Sequence, residues 1–432
     1  MAKVQAISIS GYKSLFKDKQ ISLLPLTILA GSNSGGKSSF MQPLLLIKQT
    51  LESSFDPGTL LISGEHVKFD QLSQIFSDFP DGRKSDFFSI SITNDKNGKV
   101  EVIYKKGKND SIEIDKVVLN DENFQNAELR EGIATQNIIE SLQSEELNNV
   151  KEMFGDKVQW KIKRHKCFLW IEAEFSNKPS ISFGYYPCGL LEILCQNILH
   201  LPGLRGNPER TYKRTFVDSH FPGLFQVYTA SIIDKWKISK AGKDKIRKLG
   251  EYLTDLGLTS KVDTRKIDAA HIEILVSKLS NSSSRQKDLI SIVDVGFGVS
   301  QTLPILTSLL TAKKDQIVYL EQPEIHLHPR AQLGLAQPII DASNRGVIVV
   351  VETHSSLLLR GIQTAVAKKK IDHGKVSLNW FLRDTETGET NISSVILDEN
   401  GAFGDFPEDF DDISLQAEQK YLDAVEANYE EA

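Results

Sequence analysis

Cysteine is scarce in this chain: Cys167, Cys188 and Cys195 are the three among 432 residues. They make no C-x-x-C pair and no zinc-like spacing, which argues against a disulfide framework and a zinc finger. Reduced thiols in a cytoplasmic protein are the expectation. An excess of positive charge is missing too. The formal net charge of −6 argues against a generally basic nucleic-acid binder, though not against a local patch. No apolar run approaches the length needed to cross a bilayer, and the opening MAKVQAISIS carries no hydrophobic export segment. Internal repeats are absent as well. A chain of this length exceeds one compact core, so two lobes, or one lobe carrying a large insertion, are expected.

What is present starts with the ten residues GSNSGGKSSF, Gly31 to Phe40. The apolar run Leu23 to Ala30 before them reads as a buried strand, and Met41 to Leu51 after them reads as a helix. A G-x-x-x-x-G-K-S turn between strand and helix is the phosphate-binding P-loop in the context it requires. Its glycines let successive backbone N–H groups converge on an anion, and the helix N-terminus adds partial positive charge. Asn33, Ser34, Gly35, Gly36, Lys37, Ser38 and Ser39 are therefore expected to hold a nucleoside triphosphate. Lys37 would reach the β- and γ-phosphates, and the Ser38 hydroxyl would serve Mg²⁺.

Strand patterns also cover residues 3–30, 85–104 and 158–186, the second of these folding back at the turn Asn94 to Gly98. Residues 120–155 are polar with helical spacing and read as surface helices. A helical stretch over about 223–257 carries the cationic cluster Lys235, Lys237, Lys240, Lys243, Lys245, Arg247 and Lys248. That cluster could track a nucleic-acid backbone, but only Trp236 interleaves it, so a solvated or partner-facing surface is the preferred reading. Two apolar runs, Gln316 to Leu320 and Gly346 to Val351, suit a parallel sheet covered on both faces. They end in Glu321 and in Glu352-Thr353-His354, where ligands of such sheets sit.

Three later segments extend the site: VDVGFGVSQTL from Val293, IVYLEQPE from Ile317, and VETHSS from Val351. The order of P-loop, glycine-rich turn, acidic strand and histidine resembles the ABC-type ATPase head. Within that class it is similar to the single-headed bacterial ATPases of the overcoming-lysogenization-defect (OLD) type, distant relatives of the structural-maintenance-of-chromosomes (SMC) and DNA-repair ATPases. The matching residues are AGSNSGGKSS, VDVGFGVSQTLPIL, EQPEIHLHPRAQ and ETHSSLLLR, over roughly 1–110 and 285–410. HLPGLRGNPERTY (200–212) and GAFGDFPEDFDD (401–412) also resemble a subgroup with a C-terminal domain of unknown function.

The resemblance implies an α/β fold: an ABC-type P-loop head with a mixed, largely parallel sheet, plus an inserted α+β and helical middle. The expected divisions are a first head part at 1–110, the insertion at 111–284, a second head part at 285–397 and an acidic tail at 398–432. Such heads dimerise head-to-tail around ATP and Mg²⁺, with Gly298, Ser300 and Gln301 presenting a helix N-terminus to the partner's γ-phosphate. The structural alternative for that segment is a plain tight turn before a helix. His354 would contact the γ-phosphate, and Glu321 would serve the metal alongside Ser38.

One departure stands out. The pattern ends its acidic strand in Asp-Glu, whereas this chain has Glu321 and Gln322. A glutamine amide is no base, so either Glu324 assists or the protein turns over slowly as an ATP-held clamp. Lys13 can approach the phosphates or remain solvated, and His326 and His328 fit a dimer-contact loop better than a zinc site. Relatives of this type often work beside a nuclease in antiviral defence. No HNH-type cluster or nucleophile elbow is present, so an effector is expected as a separate chain. A non-hydrolysing scaffold and a DNA-acting repair ATPase are the alternatives.

Overall fold

The structure is a computed structural model that describes residues 3–108, 110–121, 126–132, 158–175, 178–217, 220–278, 288–404, 419 and 422–423. Much of the stretch read as surface helices, and the acidic tail beyond 404 apart from three residues, lie outside the described residues.

Along the chain, β1 (Val4–Ser10), β2 (Lys19–Ser22) and β3 (Leu26–Gly31) lead into α1 (Lys37–Glu52). Next come β4 (Phe87–Asn94), β5 (Lys99–Lys106), β6 (Ile112–Asn120) and β7 (Ala127–Leu129). With β1 and β2 they form an antiparallel sheet in the order β2-β1-β4-β5-β6-β7. Three further strands, β8 (Val158–His165), β9 (Phe168–Phe175) and β10 (Lys178–Tyr185), make a small antiparallel sheet. Helix α2 (Gly189–Gln196) then delivers the chain to β11 (Ile198–Leu201). The stretch read as one helix over 223–257 is two: α3 (Thr229–Trp236) and α4 (Lys240–Asp255). Ser239 divides them, its side chain accepting from the Gly242 N–H as an N-cap.

Strand β12 (Tyr212–Lys213) precedes these helices, and β13 (Val262–Lys266), β14 (His271–Ser277) and β15 (Leu289–Ser291) follow them as a second small sheet. The chain continues through α5 (Phe297–Thr311), β16 (Ile317–Glu321), α6 (Pro329–Gly334), α7 (Ala336–Asn344), β17 (Ile348–Glu352) and α8 (Ser356–Ala367). A hairpin of β18 (Val376–Arg383) and β19 (Thr390–Ile396) closes the described fold.

The central sheet runs β11-β16-β17-β3-β18-β19, parallel except for β19. Alternation along its strands feeds two cores. Leu29, Tyr319 and Val350 enter the core on the α1 side, whereas Ile28, Leu320 and Val351 enter the core under α5 and α7. This is why the strand sequences read as unbroken apolar runs: both faces are covered. Strand β3 is flanked by β18 on one side and on the other by β17, which lies between the P-loop strand and the acidic strand β16.

One boundary needs correction. Ile198 to Leu201, inside the 111–284 region expected to be an insertion, pairs in parallel with Ile317 to Leu320 and forms the edge of the head sheet. Part of the middle is therefore head. Among the described residues, no helix is long and apolar enough to cross a membrane.

Candidate functional site

The turn between β3 and α1 is shaped by close backbone approach. A Cβ on Gly31, at φ +136°, would lie 2.1 Å from the Phe381 carbonyl oxygen, and one on Gly36, at φ +99°, 2.6 Å from Thr390 Oγ1. Only glycine fits there. Thr390 also donates its hydroxyl to the Gly35 carbonyl at 2.9 Å, so β19 clamps the loop from outside. Lys37 is 3% exposed, and its ammonium donates to the carbonyls of Gly31 (3.2 Å) and Ser32 (2.7 Å). Burial lowers its pKa. A buried cation satisfied only by carbonyl dipoles is poised for an anion.

The loop opens onto a cavity of about 500 Å³ lined by residues 33–39 together with Lys13, Gln42, Gln322, Glu352, His354 and Arg383. The segments Ser73-Gln74 and Asp78-Phe79 complete the wall. Lys13 leans over the Phe69 ring at 4.4 Å and donates to Gln42 Oε1 at 2.7 Å, and burial lowers its pKa to about 8. It belongs to the pocket wall. The residues present fit a triphosphate and Mg²⁺: a glycine cradle that a Cβ would block, a buried lysine, a serine hydroxyl and neighbouring carboxylates.

The carboxylates sort themselves in an order the sequence did not disclose. Glu352 at the end of β17 accepts from Ser38 Oγ at 2.8 Å and from the Tyr319 hydroxyl at 2.9 Å. Burial raises its pKa against the opposing pull of Ser38. Glu321, one strand further out, accepts from His200 Nε2 at 3.0 Å and from the Gly203 N–H at 3.1 Å. Burial works to raise its pKa, but His200 and the Gly203 amide outweigh that and hold it below the usual value. His200 lies against the Tyr319 ring and meets His66, whose other nitrogen contacts Glu52 at 3.1 Å. A chain of buried polar contacts thus runs from the acidic strand to the last turn of α1.

Glu324 turns inward. Its Oε1 accepts from Thr353 Oγ1 (2.8 Å) and the His354 N–H (2.9 Å), while its Oε2 is buried without a hydrogen-bond partner. Burial raises its pKa. It does not line the cavity, whereas Gln322 does. Gln322 itself sits at φ +42°, with its N–H on the Glu352 carbonyl. His354 is half-buried at the wall, its pKa lowered by burial and by Lys37. Arg205 is buried at the end of β16, donating to the carbonyls of Pro202, Glu321 and Gln322, and burial lowers its pKa to about 10.

The glycine-rich segment stands apart from this wall. Gly296 caps α5 with no side-chain partner, Phe297 is 48% exposed, and Ser300 donates to the Phe297 carbonyl. Gln301 departs from expectation: it is buried and donates to the Gly206 carbonyl at 2.8 Å, so its amide braces the 200–212 segment. Gly298 packs toward Leu258. Arg210 pairs with Asp294 across the same join. His326 meets the Phe297 ring, and His328 caps α6; among the described residues no His, Cys, Asp and Glu group has metal-binding geometry. On α4, Lys248 lies near Asp341 and Arg247 pairs with Glu251, while Lys237, before it, pairs with Asp263. Acidic neighbours interleave that basic face.

Strand order, P-loop and flanking acidic strand together define an α/β fold whose mixed central sheet carries a phosphate-binding loop. Residues 228–360 match the family described as "AAA domain, putative AbiEii toxin, Type IV TA system". No curated protein matches the sequence. Similar solved structures include the SMC head domain from Thermotoga maritima, at 10% identity and TM-score 0.41, covering 91% of this chain and 100% of that one. Another is the Smc head domain with an extended coiled coil, bound to the C-terminal domain of ScpA and derived from Pyrococcus furiosus. It is 12% identical, with TM-score 0.49, and covers 99% of this chain and 100% of that one. At such values the chain's own topology, rather than the superposition, carries the fold.

Proposed function

We propose that this protein binds ATP with Mg²⁺, dimerises head-to-tail around it and hydrolyses it slowly, so that the closed dimer switches a separate effector. The observation that carries this reading is the split between two half-sites. The P-loop cavity is walled by Lys37, Ser38, Glu352 and His354 but by none of residues 296–301. The exposed Gly296-Phe297 turn meanwhile offers an uncapped helix N-terminus, a donor set suited to a phosphate. A second copy brings the two halves together.

Slow turnover follows from Gln322 at the wall, which orients a water molecule but accepts no proton. Glu324 is the nearby carboxylate with spare acceptor capacity and a raised pKa, the property a general base needs. Gln322 also favours the second reading, a clamp that binds without turnover. The family description over 228–360 names a putative toxin of a type IV TA system; a role in antiviral defence through a partner nuclease is what the sequence resemblance implies. A cytoplasmic setting fits this.

Sedimentation with and without a non-hydrolysable ATP analogue and Mg²⁺ tests the reading. A shift from one to two chains supports it, and an unchanged mass with nucleotide bound removes it. Single-turnover ADP formation separates slow hydrolysis from the clamp.

A further inference from the structure

The geometry points to Glu352, rather than Glu321, as the carboxylate that holds Mg²⁺ together with Ser38. This assignment rests on the reading of the cavity as a Mg²⁺–nucleotide site. Register places Glu352 opposite Glu321 on one side and opposite Leu29 of the P-loop strand on the other. It is thus one strand nearer the loop, and it is 4% exposed. Its Oε1 touches only Ser38 among the hydrogen bonds described, at 2.8 Å, while the Tyr319 hydroxyl fixes Oε2 at 2.9 Å.

Adjacent ligands of an octahedral magnesium lie about 3 Å apart, given metal–oxygen distances of about 2.1 Å. Ser38 Oγ and Glu352 Oε1 already stand at that separation, so a cation can take the place of their hydrogen bond, the Ser38 hydroxyl turning its proton away, without moving either residue far. Glu321 is differently placed. Both of its oxygens are committed, one to His200 and one to the Gly203 amide, and His200 is in turn fixed by His66 and by the face of Tyr319. Its first role is then to position: it ties the 200–203 turn to the acidic strand, and it reaches the metal only through water. Tyr319 lies between the two carboxylates and holds the Glu352 side chain toward the loop.

The test uses the full chain and three variants, Glu352→Gln, Glu321→Gln and Glu352→Cys. Affinity for a fluorescent non-hydrolysable ATP analogue is read in EDTA and in Mg²⁺, and Mn²⁺ uptake with the analogue is read by electron paramagnetic resonance. Glu352→Gln should bind the analogue in EDTA like the parent chain yet raise the Mn²⁺ half-saturation by about tenfold or more. Glu321→Gln should shift it by less than about threefold. Glu352→Cys should recover metal-dependent binding with Cd²⁺ and not with Mg²⁺, a preference a merely structural role would not create. Equal effects of the two glutamine variants, or a larger one at Glu321, overturn the assignment alone. A parent chain that binds no analogue in either buffer overturns the nucleotide reading itself.

Discussion

The P-loop turn and the Gly296 turn both open a helix, yet their surroundings are opposites. At the first, Phe381 and Thr390 press on the glycines, Lys37 is buried and a lined cavity opens beside the loop. At the second, a Cβ added to Gly296 would meet nothing within 4 Å, and Phe297 lies half in solvent. Glycine is enforced by packing in one place and left open in the other. The difference teaches that one turn is braced by packing from its own chain, while the other leaves its backbone donors uncovered, as the proposed two-chain site requires.

Substitutions can break that contrast. Lys37→Ala removes the buried cation and should weaken ATP binding by about two orders of magnitude in equilibrium titration, since a charge-assisted bond is worth about 1.5–3 kcal/mol. Ser300→Arg should leave nucleotide affinity of the single chain within about twofold yet abolish the analogue-induced dimer in sedimentation. If it lowers affinity as strongly as Lys37→Ala, the two turns belong to one intramolecular site. Gln322→Glu should raise steady-state turnover by about 10²-fold by restoring a base at the wall, and an unchanged rate counts against the slow-hydrolysis reading.

The smallest effect concerns Lys13, whose pKa is lowered to about 8 by burial. It is protonated at pH 7 and loses its charge as pH rises through 8. ATP affinity should therefore fall by about threefold between pH 7 and pH 9, and Lys13→Met should flatten that slope.

Local chemistry made the P-loop legible, because a strand, a glycine turn and a helix within some thirty residues can adopt few other forms. The runs ending at Glu321 and Glu352 were legible for a related reason: two covered faces demand unbroken apolar stretches. Strand Ile198–Leu201 was not, since four residues with a central histidine carry little periodicity and pair with a strand more than a hundred positions away. The division at Ser239 had a local signal, a serine cap between lysines, which the continuous helical spacing concealed. The partners of the carboxylates lay beyond sequence reading altogether. Both glutamates end apolar strands, and only the strand order puts Glu352 beside Ser38 while turning Glu321 toward His200.

The shared site is tested most directly by mixing Lys37→Ala chains with Ser300→Arg chains and measuring mass and bound nucleotide together. Neither variant should dimerise alone, whereas the mixture, which assembles one intact P-loop against one intact glycine turn, should give a two-chain species holding a single ATP analogue. A mixture that stays at the mass of one chain while the analogue is bound would contradict the account.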